Sequence, residues 1–114
     1  MCDEKYIELA IREAAKSPMS HKYGAVLISK KGEILNVGYN RYCGYNQSRL
    51  KEKSSTYHAE MNACKKVPKR KIRGATLVVV RLDKEKVINC ESCDVCKKMI
   101  CNYGISKVYL SRDR

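Results

Sequence analysis

An α/β fold is the architecture this 114-residue chain predicts, on three observations. Ile7, Ala10, Ile11 and Ala14 recur at helical spacing near the N-terminus. Residues 75–81, ATLVVVR, form a continuous, largely β-branched run of the kind found in strands covered on both faces. The C-terminal third then reads strand, helix, strand, an order that implies a parallel pair joined by a right-handed crossover. The whole chain, 1–114, reads as one domain.

Asp3 is positioned to cap a first helix running to about Lys16, and Ser17-Pro18 stops it. Gly24 to Ser29 reads as a buried strand, Lys30 to Glu33 as a turn, and Ile34 to Tyr39 as the returning strand of a hairpin. Asn40 to Thr56 is a long polar loop containing Arg41, Arg49, Lys51 and Lys53, and loops of that length in compact domains are usually functional or mobile. Ser55 or Thr56 caps a second helix, from about Tyr57 to Val67, which Pro68 ends. After the strand at 75–81, a charged excursion from Leu82 to Ile88 precedes a helix from Cys93 to about Tyr103, which Gly104 stops. Ser106 to Leu110 is the last strand. The expected sheet is mixed, with about four strands.

Lys and Arg number 24 against 12 Asp and Glu, so the formal net charge is +12. That balance favours anionic partners: nucleotides, nucleic acid or acidic proteins. The densest basic run, residues 65–73, reads as a solvated connector, with phosphate contact as the alternative. No run approaches the roughly 18 apolar residues of a membrane span, and MCDEKYIEL is too acidic for a secretory signal. Seven cysteines, an odd number without an export signal, point to a reducing, cytoplasmic setting in which Cys2, Cys43, Cys64, Cys90 and Cys101 are thiols.

The remaining two cysteines carry the chemistry. His58-Ala59-Glu60 and Cys93-Asp94-Val95-Cys96 supply one imidazole, two thiolates and a nearby carboxylate. Zn2+ takes such ligands in tetrahedral geometry, and three protein ligands leave the fourth position to water, whose pKa then falls from about 15.7 to roughly 7. Cys93 and Cys96, three apart in the first turn of a helix, share one face and sit where the helix dipole favours thiolates. Glu60, two positions from His58, points about 200° around the helix, which suits a proton shuttle better than a ligand. A redox dithiol or a closed structural zinc site are the alternatives. A structural site needs a fourth Cys or His, and His21 is the only other histidine. Asn40, at a strand end, is read either as turn chemistry or as a ligand contact.

H-x-E with a later C-x-x-C is the signature of zinc nucleobase deaminases. YGAVLI at 23–28, GYN at 38–40, HAEMNA at 58–63 and SCDVCKKMICNYGISKVYL at 92–110 together resemble the cytidine deaminase superfamily, and within it the deoxycytidylate deaminase-like group. Asn62-Ala63 after HAE is more similar to the deoxycytidylate enzymes than to the tRNA adenosine deaminases. The resemblance implies a three-layer α/β/α fold, catalytic zinc on His58, Cys93 and Cys96, and Glu60 as general acid/base. It also implies Asn40 on the sugar or base, the Ala59 N–H facing the base carbonyl, and the backbone at Glu91 meeting the exocyclic amine. Three departures stand out. Ser92 replaces the usual Pro before the first cysteine, the excursion 83–89 is longer than in most members, and only Ser111 to Arg114 follow the last strand, where the family commonly has a fifth strand and helices.

Hydrolytic deamination of a free cytosine nucleotide is the leading reading, with Arg41, Arg49, Lys51 or Lys53 on its phosphate. Deamination of a base within RNA or single-stranded DNA is the alternative, and a non-catalytic, zinc-stabilised nucleic-acid-binding module is the third. The nearly terminal last strand, with Val108 and Leu110 on one face and Met99, Ile100 and Tyr103 on the preceding helix, further predicts a homo-oligomer.

Overall fold

The structure, a computed structural model, describes residues 4–18, 21–42, 56–57, 59–64, 67–83, 86–90 and 101–111. Its elements are α1 (Glu4–Ala15), β1 (Lys22–Ile28), β2 (Ile34–Tyr39), β3 (Arg41–Tyr42), β4 (Thr56–Tyr57), α2 (Ala59–Cys64), α3 (Lys69–Ile72), β5 (Thr76–Asp83), β6 (Lys86–Ile88) and β7 (Lys107–Leu110). Residues 101–103 form a further helical turn.

β2, β1 and β5 lie side by side, antiparallel. The far edge of β5 is shared: β6 pairs antiparallel with its C-terminal end and β7 parallel with its N-terminal half. The sheet is therefore mixed, with five strands where four were expected. The additional strand, β6, comes from the stretch expected to be a charged excursion; Leu82 and Asp83 extend β5, and Val87 of β6 is buried.

Alternation along β1 and β5 sends side chains to two separate cores. Ala25, Leu27, Leu77 and Val79 face α2 and α3, in a cluster with Ala59, Ala63, Ile72 and Cys90. Val26, Ile28, Val78 and Val80 face α1, which contributes Ala10 and Ala14. Each large aliphatic side chain so buried contributes about 1.5–3 kcal/mol. Helices on both faces make the three layers.

Two glycines let the helices approach. A β-carbon on Gly24 would collide with Ala10 O and Ala14 N of α1. One on Gly38 would come within 2.6 Å of Ala63 N and 2.7 Å of Asn62 Cβ in α2. The β1–β2 turn is held by Ser29, whose N–H donates to Glu33 O (2.7 Å), and by the Tyr6 hydroxyl, which donates to Gly32 O (2.7 Å). At the end of α1 the Lys16 ammonium bonds the buried Glu13 carboxylate at 2.7 Å. That hydrogen bond and Glu13's charge raise the lysine's pKa.

The second helix is shorter than its sequence pattern. Thr56 and Tyr57 are not its cap and first turn but β4, paired with β3 at the two ends of the long polar loop. The basic run also differs from a solvated connector: Lys69–Ile72 is a helical turn, and Ile72 is fully buried. Asp3, Cys2, Cys43, Ser55 and most of the helix expected from Cys93 lie outside the described residues.

Candidate functional site: the ends of β2 and α2

Asn40 occupies a seat where three segments meet. Its main chain continues the β1–β2 ladder, donating to Tyr23 O at 3.2 Å. Its side-chain Oδ1 accepts from Tyr23 N–H (2.8 Å), and its Nδ2 donates to His21 O (2.6 Å). Its carbonyl accepts from the buried Ser17 hydroxyl at 2.8 Å. At 7% exposure, Asn40 thereby ties the end of α1 and the entry to β1 to the end of β2. Both polar atoms of its amide have backbone partners, so its described role is to build this corner.

α2 is docked on the same corner. Asn62 Nδ2 donates to Tyr39 O at 2.6 Å, and Asn36 Nδ2 donates to Asn62 O at 3.4 Å. β3 starts directly after Asn40, and Arg41 pairs with Tyr57, the residue before His58. The chain therefore enters H-A-E through a strand paired beside Asn40. α2 begins at Ala59, which is fully buried, and Glu60 is its second residue.

The other half of the motif is approached through Cys90. Its N–H donates to Ser111 O at 3.0 Å, while Ser111 N–H donates to Val79 O at 2.9 Å and Ser111 Oγ donates to Ile88 O at 2.6 Å. Cys90 and Ala59 belong to the same buried cluster, so the chain leading to Cys93 and the residue following His58 lie on one face of the sheet. His58, Glu91, Cys93 and Cys96, and the side chains of Glu60 and Arg41, lie outside what the structure describes, as do Arg49, Lys51 and Lys53. Among the described residues no three His, Cys, Asp or Glu side chains gather to hold a metal.

One cluster at this corner had no motif to announce it. Arg81, paired across the sheet with Tyr23, brings Nη2 to 3.0 Å from His21 Nδ1, with its guanidinium carbon 5.7 Å from the Tyr23 ring centroid. Arginine only donates, so His21 accepts at Nδ1 and carries its proton on Nε2. An arginine interrupting a β-branched strand was the available signal. Ser111 is a second residue of this kind; only its position just past the last strand marked it.

The family described as the cytidine and deoxycytidylate deaminase zinc-binding region matches residues 1–112. The chain belongs to this family. Members use Zn2+, and a zinc region is what a His-x-Glu and Cys-x-x-Cys donor set fits: three soft or borderline ligands and a separate carboxylate. The fold agrees with solved relatives. The chain is similar to a cytidine deaminase from Burkholderia pseudomallei at 20% identity and TM-score 0.70, over 98% of this chain and 86% of that one. It is also similar to a dCMP deaminase from the cyanophage S-TIM5, at 24% identity and TM-score 0.65 over 93% and 79% of the two chains. A third is a cytidine deaminase from Mycobacterium tuberculosis, at 18% identity and TM-score 0.65 over 96% and 88%. Comparison with curated protein sequences gave no match. Among the described residues no helix of this family member is long and apolar enough to cross a membrane.

Proposed function

We propose that this protein deaminates a cytosine nucleotide, dCMP or a close relative, to its uracil form with release of ammonia. The observation that carries the reading is the placement of Glu60 as the second residue of α2, one position beyond the residue that follows His58, in a chain of a zinc deaminase family. A purely structural metal site has no use for a carboxylate there.

In this reading His58, Cys93 and Cys96 hold the zinc. When bound, Zn2+ supplies Lewis acidity that makes hydroxide accessible near neutral pH. The Glu60 carboxylate takes one proton from the attacking water and passes it to the ring nitrogen, where it stays; it then carries the proton of the new C4 hydroxyl to the amine as the C–N bond breaks. Water and cytosine thus become uracil and ammonia. The Ala59 N–H holds the base carbonyl, the backbone at Glu91 meets the exocyclic amine, and Asn40 contacts the sugar or base from its fixed corner. Arg81, oriented by His21 and Tyr23 beside Asn40, joins Arg41, Arg49, Lys51 and Lys53 as a donor for the substrate phosphate. The working form is a homo-oligomer assembled through β7, whose pairing among the described residues is to β5 alone. The site of action is the cytoplasm, in one domain spanning 1–114.

An ammonia-release screen over cytidine, deoxycytidine, their mono- and triphosphates and cytosine-containing oligonucleotides tests the assignment. Turnover strongest on a monophosphate supports it. Turnover confined to oligonucleotides would transfer it to a polynucleotide base deaminase, and no turnover on any substrate would leave the zinc-stabilised binding module.

A further inference from the structure

We propose that the end of the sheet remote from Asn40 is a second binding surface, which takes the phosphodiester backbone of single-stranded nucleic acid. Asn40 follows Tyr39, which pairs through Gly24 to Val80. Thr76, which pairs with Ile28 and Lys107, marks the other end of β5, about 13 Å away at strand rise.

At that end a cleft of about 480 Å³ opens between α3 and the helical turn at 101–103, lined by Lys69, Arg70, Arg73, Cys101 and Tyr103 among others. Its walls are fixed by two left-handed glycines. Gly74 (φ 79°) donates its N–H to the carbonyl of Gly104 (φ 74°) at 2.8 Å, which clamps the two turns together. Ile72, buried in the core, anchors α3 from beneath and leaves its three cationic residues exposed. Lys69 Nζ lies 5.7 Å from the Tyr103 ring centroid. Among the described residues the one ion pair is Lys16–Glu13, so Lys69, Arg70 and Arg73 have no described carboxylate partner. Three unneutralised cations around a cleft cost self-repulsion, which an anion relieves.

The charge spreads beyond the cleft, and this selects a polymer over a lone phosphate. Lys30 lies over Gly74, whose added β-carbon would sit 3.3 Å from its Cδ. Lys31 in the same turn and Lys107 at the start of β7 are also exposed. In the β1–β2 turn Lys30 and Lys31 outnumber Glu33. Exposed cations around a half-buried tyrosine ring suit a single strand, with phosphates on the cations and an unpaired base against the ring's open side.

The test follows binding of a fluorescent oligonucleotide of roughly 12 nucleotides, within the usual single-strand site size, across a salt series. At about 0.7 per contact, three to six phosphate contacts give a slope of log K on log salt of about −2 to −4. Replacing Arg70→Glu with Arg73→Glu removes two contacts. The slope should become shallower by about 1.4, and affinity at about 0.1 M salt should fall about 25-fold. On the unmodified protein, alkylation of the exposed Cys101 thiol, read by peptide mass mapping, should slow when the oligonucleotide is bound. Unchanged affinity and slope in a double variant of wild-type denaturation midpoint would overturn the proposal. Undiminished Cys101 alkylation in the saturated complex would do the same without any mutation. Displacement by CTP at equal phosphate concentration would make the surface a free-nucleotide site and refute the polymer. None of these readouts depends on deamination, so the outcome is separate from that of the proposed reaction.

Discussion

Replacing Gly38 by alanine tests whether the sheet positions α2, the helix proposed to carry the proton-transfer residue. The new β-carbon would lie 2.6 Å from Ala63 N, 2.7 Å from Asn62 Cβ and 2.8 Å from Asn62 C. Ordinary contact begins at 3.4 Å, so α2 must retreat by about 0.8 Å. None of the three atoms is the tip of a flexible side chain, so the strain falls on the helix itself. Overpacking of this kind costs about 1–3 kcal/mol. The smaller backbone entropy of unfolded alanine returns about 0.4–1. The net, roughly 0–2.6 kcal/mol, lowers a urea midpoint by up to about 1.3 M at a slope of about 2 kcal/mol per M. Turnover should suffer more than stability, because α2 carries Glu60 and begins immediately after His58. A displacement near 1 Å can cost on the order of 10²-fold, so kcat/KM on the preferred nucleotide should drop about 10- to 100-fold. Gly24→Ala is the control: it forces α1 away from the opposite face and should destabilise the fold while leaving kcat of the folded fraction intact. Urea titration and a coupled ammonia assay on both variants decide the matter. Gly38→Ala with unchanged midpoint and kcat/KM, or Gly24→Ala with an equal loss of turnover per folded molecule, would refute the reasoning.

Glu60→Gln should retain zinc and the native midpoint but lose about 10²–10⁴ in kcat, and loss of the metal instead would make Glu60 a ligand. Asn40→Ala removes bonds to His21 O and Tyr23 N and should cost about 1–3 kcal/mol, measured by urea titration; a midpoint identical to wild type would mean that its described bonds contribute nothing. Light scattering at micromolar concentration should give a mass above the 13.1 kDa of one chain, and a fully active species at that mass would remove assembly through β7 from the account.

Long, strongly patterned elements were legible in the sequence, and short ones were not. β2 has the expected bounds, and β5 is covered on both faces because its β-branched run feeds both cores. β6 carries no sequence signal because three residues with one buried side chain, Val87, cannot display a period of two. α3 carries none for a similar reason: a single turn with three cations and one inward isoleucine has the composition of a charged loop. The pair β3–β4 has no local signal, since two residues cannot display a period and the pairing joins segments about 15 residues apart. At the site, residue chemistry and spacing nominate His58, Cys93, Cys96 and Glu60, whose side chains lie outside the described residues. The supporting residues could not be seen that way, because Ser111, Asn62 and Arg81 act through contacts between segments distant in sequence.

Metal content is the most direct test of the proposed centre. Elemental analysis of the purified protein should find about one zinc per chain, and the Cys93→Ala/Cys96→Ala double variant should have lost it. Absence of zinc from the wild-type protein, or its full retention in the double variant, would contradict the assignment of His58, Cys93 and Cys96 and the chemistry derived from it.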